Sequence, residues 1–109
     1  MSEKEENKMK ELKEAVKVLM REEYERAAER FNSPHEACAV ILEEMEEANA
    51  EFEFMGADMN WLWRFIKKDE RHNAKKFLKN IELYAINTAC ECIQVAAMAY
   101  KASRKEKIL

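Results

Sequence analysis

The 109-residue chain contains one glycine, Gly56, and one proline, Pro34. Glycine and proline most often end helices and form turns, so a chain with so few of them has few places to change direction. Charged residues make up 38% of the sequence, and its many alanine, glutamate, lysine, leucine and methionine residues favour helices. We therefore predict an all-α fold, an antiparallel helical bundle of three long helices plus one short connecting helix. Residues 1–109 form one domain in this prediction, with residues 1–8 frayed.

The spacing of apolar residues at intervals of three and four predicts where these helices lie. Helix 1 is expected over residues 5–31. Helix 2 follows the sequence Ser-Pro-His-Glu at residues 33–36, which combines an N-cap serine, a proline in the first helical position and a glutamate three residues after the cap. We expect helix 2 to end near Met55, because Gly56 is a typical helix stop. A short helix over residues 58–66 and a last helix over residues 72–104 complete the prediction.

The same spacing predicts which side of helix 2 faces the core. The predicted inward residues are Cys38, Ile41, Leu42, Met45, Ala48, Phe52 and Met55. The three cysteines, Cys38, Cys90 and Cys92, form no paired disulfide framework, because Cys90 and Cys92 project to opposite sides of a helix. We expect all three to be reduced residues of the core.

Charge and hydropathy argue against two classes of partner. The formal net charge is −3 and the acidic and basic residues are intermixed, so no broad positive face is expected for a DNA or RNA backbone. The first eight residues have no apolar segment typical of a secretion signal, and the chain has no apolar run of about 18 residues. We therefore expect a soluble, cytoplasmic protein without a membrane or nucleic-acid partner.

An acidic residue in an apolar setting is the first sign of a functional site. Residues 90–99 form the most apolar stretch of the chain, yet Glu91 and Gln94 lie inside it one helical turn apart. Burying a carboxylate costs several kcal/mol unless it is paired or binds a metal. In one interpretation Gln94 is an ordinary buried amide and Glu91 forms a buried salt bridge. The available cations for that bridge are Arg21, Arg26 and Lys101.

The other interpretation is a shared divalent cation. Residues three or four apart lie on one face of a helix, which places Glu44 beside Glu47 on helix 2. The same spacing relates Asn87, Glu91 and Gln94 on the last helix. If these helices pack antiparallel, Glu44, Glu47 and Glu91 converge, and oxygen ligands of this kind suit Mg²⁺. Glu-x-x-Glu also recurs elsewhere in this glutamate-rich chain, so the acidic run on helix 2 could instead be a solvated face.

Two segments of the chain resemble a known family. They are residues 41–47, Ile-Leu-Glu-Glu-Met-Glu-Glu, and residues 91–99, Glu-Cys-Ile-Gln-Val-Ala-Ala-Met-Ala. They look like the motifs of MazG-like nucleotide pyrophosphohydrolases, and the resemblance covers about residues 33–104. Members of that superfamily are all-α and usually assemble as dimers or tetramers. They use a Glu-x-x-Glu and a Glu-x-x-Asp motif to hold Mg²⁺ while they hydrolyse a nucleoside triphosphate to its monophosphate and pyrophosphate.

The resemblance implies a metal-binding role for each matching residue. Glu44 and Glu47 match the first motif and Glu91 begins the second, so these three residues would hold Mg²⁺, with Mn²⁺ as a substitute. Gln94 stands where the family has aspartate. A neutral amide is a poorer Mg²⁺ ligand than a carboxylate, so this departure is expected to weaken the fourth metal ligand.

The resemblance also implies residues that act on water and substrate. Glu43 or Glu46 would accept the proton of the water that attacks the α-phosphorus. Asn87 and Lys101 are the candidates for contacting the nucleoside triphosphate. Further cations that could contact its phosphates are Lys75, Lys76 and Arg104. The alternative function is a non-catalytic helical oligomer that keeps the fold for nucleotide sensing or assembly, because the second motif lacks its aspartate.

Apolar residues near the predicted connector indicate assembly. Trp61, Trp63, Phe65 and Met55 give more apolar surface than the core of a chain this short readily covers. We therefore expect a homodimer or a homotetramer. Stacking of the aromatic rings on a nucleotide base is the alternative interpretation.

Overall fold

The computed structural model describes residues 1–26 and 32–105. Three α-helices account for most of them: α1 spans Glu3–Arg26, α2 spans Pro34–Lys67 and α3 spans Arg71–Tyr100. A π-helical turn over Lys101–Lys105 follows α3. No strand occurs in these two stretches, so the all-α prediction is confirmed. None of their helices is both long and apolar enough to cross a bilayer.

The start of α2 is the cap that the sequence predicts. The Glu36 N–H donates to Ser33 Oγ at 3.1 Å, and the Asn32 N–H donates to a Glu36 carboxylate oxygen at 2.7 Å. Pro34 is the first helical residue, where its missing N–H removes no helical hydrogen bond. The serine and the glutamate therefore satisfy backbone donors at this end of α2 in the manner of a capping box.

The first helix begins at Glu3, so most of residues 1–8, which were expected to fray, are helical. Ser2 caps this helix, because its Oγ accepts a hydrogen bond from the Glu5 N–H at 3.2 Å. No residue of α1 is buried. The predicted end of helix 1, at residue 31, lies outside the described residues.

Gly56 does not end a helix, which corrects the predicted division of the chain into a second and a short connecting helix. α2 continues through Gly56, and the predicted short helix is its last part. The chain turns instead at Asp69, whose φ of 55° lies in the left-handed region. There the Asp69 N–H donates to the Ile66 carbonyl at 3.1 Å and the Glu70 N–H donates to the Phe65 carbonyl at 2.9 Å. These two bonds form the Schellman ending that usually involves a glycine.

The chain divides into two compact units. We call Met1–Leu42 with Ile93–Leu109 the terminal unit, and Glu43–Cys92 the hairpin unit. The described core of the terminal unit consists of Ala37, Ala97, Met98 and Ala102. Half-buried apolar residues pack against this core: Met20, Tyr24, Val40 and Ile41. The terminal unit is therefore held together by apolar side chains.

In the hairpin unit, the last part of α2 runs antiparallel to the first part of α3. Ring contacts join the two helices, between Phe54 and Tyr84 with centroids 5.7 Å apart and between Phe65 and Phe77 at 5.5 Å. Inward positions of α2 recur every seven residues, as in the seam of a coiled coil. Polar residues at that spacing are Glu44, Glu51 and Asp58 on α2 and Asn73, Asn80 and Asn87 on α3. Apolar residues fill other inward positions, and Ala48, Leu62 and Ala74 are buried. The seam of this unit is therefore a mixture of polar and apolar side chains.

The predicted inward side of α2 is in part wrong. Leu42, Met45 and Phe52 are exposed, at 52%, 51% and 60%. The prediction holds for Ala48, which is buried, and for two half-buried residues, Ile41 and Met55. The true inward side lies one residue earlier, at Glu44 and Glu51 instead of Met45 and Phe52, and one residue is about 100° around a helix.

All three cysteines are exposed free thiols, so their prediction as core residues is wrong. On α3 the inward position between Cys90 and Cys92 belongs to Glu91. On α2 the buried residue beside Cys38 is Ala37. In each case the neighbouring residue takes the inward position, and the cysteine faces outward.

Candidate metal centre

Three carboxylates come together within the hairpin unit. One oxygen from each of Glu44, Glu47 and Glu91 lies within 4.8 Å of the others. Glu44 and Glu47 are three residues apart on α2, so they share one face of the helix, and Glu91 lies on α3. Their convergence agrees with the prediction from helical spacing. We call this group the carboxylate cluster.

The carboxylate cluster is partly withdrawn from water. Glu44 is only 4% exposed, Glu91 is half-buried, and Glu47 is exposed. The pKa of Glu91 is raised from 4.5 to about 7, first by burial and then by hydrogen bonds with Glu47 and Glu44 and by the negative charges of those two residues. The cluster therefore favours a proton or a cation at Glu91.

A salt bridge does not explain Glu91 in the described part of the chain. Every influence on the pKa of Glu91 raises it, whereas a neighbouring cation would lower it. Arg26, one of the expected partners, instead lies 3.8 Å from a carboxylate oxygen of Glu23. The Oε2 atom of Glu91 is buried and has no hydrogen-bond partner among the described residues. A buried carboxylate oxygen without a donor is the kind of atom that a cation satisfies.

A second polar contact joins α2 to α3 beside the carboxylate cluster. The Asn87 Nδ2 atom donates to Glu51 Oε2 at 3.3 Å. Glu51 follows Glu47 by four residues and Asn87 precedes Glu91 by four, so this pair lies one helical turn from the cluster. Asn87, predicted to contact substrate, thus holds another side chain of the protein.

The same seam contains two further acidic residues that were not among the predicted site residues, Glu51 and Asp58. The signal that reveals them is the seven-residue spacing from Glu44 to Glu51 to Asp58. Asp58 is half-buried, and its Oδ2 atom is buried without a hydrogen-bond partner in the described ranges. The seam therefore carries acidic residues beyond the predicted motif.

The two candidates for proton acceptance, Glu43 and Glu46, are both exposed. Glu43 lies four residues before Glu47, so the two share a face of α2. Glu46 lies one residue before Glu47 and two residues after Glu44. Residues that are one or two apart on a helix do not share a face. The helical spacing therefore favours Glu43 over Glu46.

Two other predicted site residues belong to the terminal unit. Gln94 is half-buried and lies three residues after Glu91 on α3. Lys101 is fully buried at the first position of the π-helical turn and interacts with other groups of the protein. A phosphate could meet the Lys101 ammonium only after this side chain became accessible. The further cations Lys75 and Lys76 are exposed on α3, and Arg104 is exposed in the π-helical turn.

Comparisons of the chain with protein-family models, with curated proteins and with solved structures found no match. The geometry of the carboxylate cluster and the sequence motifs therefore carry the functional argument.

Proposed function

We propose that the protein is a Mg²⁺-dependent nucleoside triphosphate pyrophosphohydrolase that releases a nucleoside monophosphate and pyrophosphate. The observation that carries this proposal is the convergence of Glu44, Glu47 and Glu91 within 4.8 Å. Carboxylates this close need a proton or a cation between them, and oxygen-only ligand sets are typical of Mg²⁺. The resemblance of the segments that supply these residues to MazG-like enzymes supports the same reaction.

The donor set fits a hard divalent cation. The carboxylate cluster offers only oxygen atoms, whereas zinc sites usually include histidine or cysteine. Glu91 Oε2, which has no hydrogen-bond partner in the described ranges, is available as a ligand atom. Mg²⁺ keeps several waters and binds substrate phosphates in its remaining positions, and Mn²⁺ accepts the same ligands. Gln94 follows Glu91 by three residues in the sequence, at the place where the resembling family has its aspartate.

Each residue near the carboxylate cluster has a proposed task. A divalent ion, when bound, supplies neutralisation of phosphate charge and a more acidic water. Glu43 accepts the proton of the attacking water, because it is exposed and shares a helix face with Glu47. Glu46 is the second choice for this role. The hydrogen bond from Asn87 to Glu51 holds α2 and α3 in register one turn away.

The direct test is pyrophosphate release from a panel of nucleoside triphosphates with Mg²⁺ or Mn²⁺. Glu91→Gln should reduce the rate by about 100-fold or more, since it removes a charged group from the reacting centre. Glu82→Gln is the matched control, because Glu82 is an exposed glutamate on the same helix. Wild-type protein that releases no pyrophosphate from any of these substrates would contradict the proposal.

The alternative is a non-catalytic helical oligomer that senses nucleotides or serves assembly. Gln94 favours it, because an amide in place of the family's aspartate weakens metal binding. Gln94→Asp separates the two functions. An enzyme should bind Mg²⁺ more tightly and turn over at least as fast after this change, whereas the alternative predicts no turnover in either protein.

We also propose that the protein is a homo-oligomer, through an exposed stripe on α2. Met45, Phe52, Met59 and Ile66 recur every seven residues and are each more than half exposed. Asn49, Gly56 and Trp63 recur at the same interval beside them. Such a pattern is typical of a helix that packs along a second helix. These seven residues are the exposed stripe.

Gly56 supports the packing of α2 against a second copy of the chain. Glycine inside a helix is destabilising by about 1 kcal/mol relative to alanine. A Cβ atom built at Gly56 would meet no described side chain within 4 Å, so contacts within the described chain do not require a glycine there. If α2 packs antiparallel on α2 of a second copy across a two-fold axis, Phe52 of one copy faces Gly56 of the other, and Met45 faces Trp63.

The mass in solution tests this assembly. Light scattering should give a multiple of 12.9 kDa for wild-type protein, and Phe52→Glu should reduce it to the monomer mass. Leu83→Glu is the matched control, because Leu83 is equally exposed, at 56%, but lies on α3. A wild-type mass of 12.9 kDa at micromolar concentration would contradict the proposed assembly.

A further inference from the structure

The terminal unit contains a cleft that is not part of the proposed reaction. The cleft lies between α1 and the end of α3 with its π-helical turn, and its volume is about 590 Å³. Pockets for small ligands commonly have volumes of about 300–1,000 Å³. The cleft is therefore large enough to hold a small molecule.

Three cations line this cleft: Lys17, Arg21 and Arg104. None of its described lining residues is acidic, although the chain as a whole carries a net charge of −3. Lys17 and Arg21 are four residues apart on α1, so their side chains leave the helix on the same face. Lys17 also pairs with Glu14 at 3.3 Å, but both side chains are exposed and such surface pairs are weak, so Lys17 can exchange this partner for a bound anion. The cleft therefore has an excess of positive charge.

Tyr100 orients one of these cations. The guanidinium carbon of Arg104 lies 4.6 Å from the centre of the Tyr100 ring. The ring of Tyr24 packs against Tyr100 edge to face, with centroids 5.7 Å apart, and this fixes the ring on which Arg104 rests. Stacking on a ring leaves the hydrogen-bond donors at the edge of a guanidinium free to bind an anion. Arg104 is therefore positioned without a carboxylate partner in the cleft lining.

We propose that this cleft binds an anion that carries two or more phosphoryl groups. Arginine pairs with phosphate oxygens in a bidentate manner, and three cations spread over one cleft match several negative charges better than one. The phosphoryl groups can belong to a free oligophosphate or to the phosphate chain of a nucleotide. Every lining residue belongs to the terminal unit and the carboxylate cluster belongs to the hairpin unit, so this proposal does not rest on the proposed reaction.

Calorimetry in the presence of EDTA tests the cleft without any divalent cation. Tripolyphosphate and ATP should both bind wild-type protein, and uncharged adenosine should not. Arg21→Ala and Arg104→Ala should each raise the Kd by about tenfold, because each removes charge-assisted hydrogen bonds. If ATP and tripolyphosphate bind equally, the cleft recognises the phosphates alone, whereas tighter binding of ATP identifies a nucleotide.

Matched variants separate this cleft from general charge effects and from the carboxylate cluster. Arg26→Ala removes an exposed arginine of α1 outside the cleft and should leave the Kd unchanged. Arg104→Lys keeps the charge but loses the planar group, so it should bind less tightly than wild type. Glu91→Gln should bind tripolyphosphate as wild type does. The proposal is overturned if neither anion binds, or if Arg26→Ala weakens binding as much as Arg21→Ala and Arg104→Ala.

Discussion

The same two helices, α2 and α3, differ in their inward side chains between the two units. In the terminal unit, Ala97 and Met98 are fully buried among apolar neighbours. In the hairpin unit, the inward positions include Glu44, Glu51 and Glu91. Buried apolar groups stabilise a fold, whereas buried carboxylates destabilise it unless they are paired. Among the described residues, those buried in the terminal unit are apolar except for Lys101, whereas the hairpin unit combines buried apolar residues such as Leu62 with inward carboxylates.

The contrast extends to the surface of α2. Polar residues occupy part of the seam of the hairpin unit, and the large apolar residues Phe52 and Trp63 lie on its exterior, at 60% and 57% exposed. A patch of this kind usually marks a site of interaction. In this unit carboxylates thus take three inward positions of α2, Glu44, Glu51 and Asp58, while the large apolar residues of the exposed stripe face outward.

The largest effect is expected in the core of the terminal unit. Met98→Ala removes a fully buried side chain and should lower the free energy of unfolding by about 2–5 kcal/mol. Leu83→Ala, at an exposed position of the hairpin unit outside the exposed stripe, should change it by less than about 0.5 kcal/mol. Urea denaturation measures the free energy of unfolding of both variants. Equal effects of the two changes would contradict the role of Met98 in the core.

The next effect is a gain of stability in the hairpin unit that depends on pH. The pKa of Glu91 is raised from 4.5 to about 7, which means that the folded protein favours the protonated carboxyl group. The contribution of Glu91 to the free energy of unfolding is therefore fully present below about pH 4.5 and is lost as the pH rises through 7. Without divalent cations, Glu91→Gln should therefore stabilise the protein at pH 8 by up to about 3 kcal/mol. At pH 4 it should have little effect. Thermal unfolding at both pH values measures this, and a loss of stability at pH 8 would contradict it.

A smaller effect is expected at the polar contact beside the carboxylate cluster. Asn87→Ala leaves Glu51 Oε2 without its donor and should cost about 1–2 kcal/mol. Asn60→Ala, at an exposed position of α2, is the control and should be close to neutral. Urea denaturation compares the two variants. If the two variants have the same free energy of unfolding, the hydrogen bond between Asn87 and Glu51 does not stabilise the packing of α2 on α3.

The smallest effect concerns the turn between α2 and α3. Asp69 has a positive φ, and glycine adopts this conformation without steric strain. Asp69→Gly should therefore stabilise the hairpin unit by about 1 kcal/mol. The two hydrogen bonds of the Schellman ending are made by backbone atoms and remain. A lower melting temperature would show that the Asp69 side chain is needed at this turn.

Local signals in the sequence predicted part of this structure. The cap at Ser33 depends on residues within one helical turn, and the three glutamates of the carboxylate cluster follow from helical spacing and one antiparallel pairing. The turn at Asp69 falls between the predicted short helix and the predicted last helix, where the chain is highly charged. The prediction failed at Gly56, because a single glycine can lie inside a helix as well as end one. The inward side of α2 was misplaced because the spacing of apolar residues cannot reveal inward positions that are occupied by carboxylates. In this seam the inward positions hold Glu44 and Glu51.

Calorimetric titration of Mg²⁺ tests the central claim most directly, that Glu44, Glu47 and Glu91 hold a divalent cation. Wild-type protein should bind Mg²⁺ at pH 8 and more weakly at pH 5.5, where Glu91 is protonated. Glu91→Gln should lose this binding, and the control Glu82→Gln should keep it. Equal Mg²⁺ affinity in wild type and Glu91→Gln, or no Mg²⁺ binding by folded wild-type protein at pH 8, would contradict the claim.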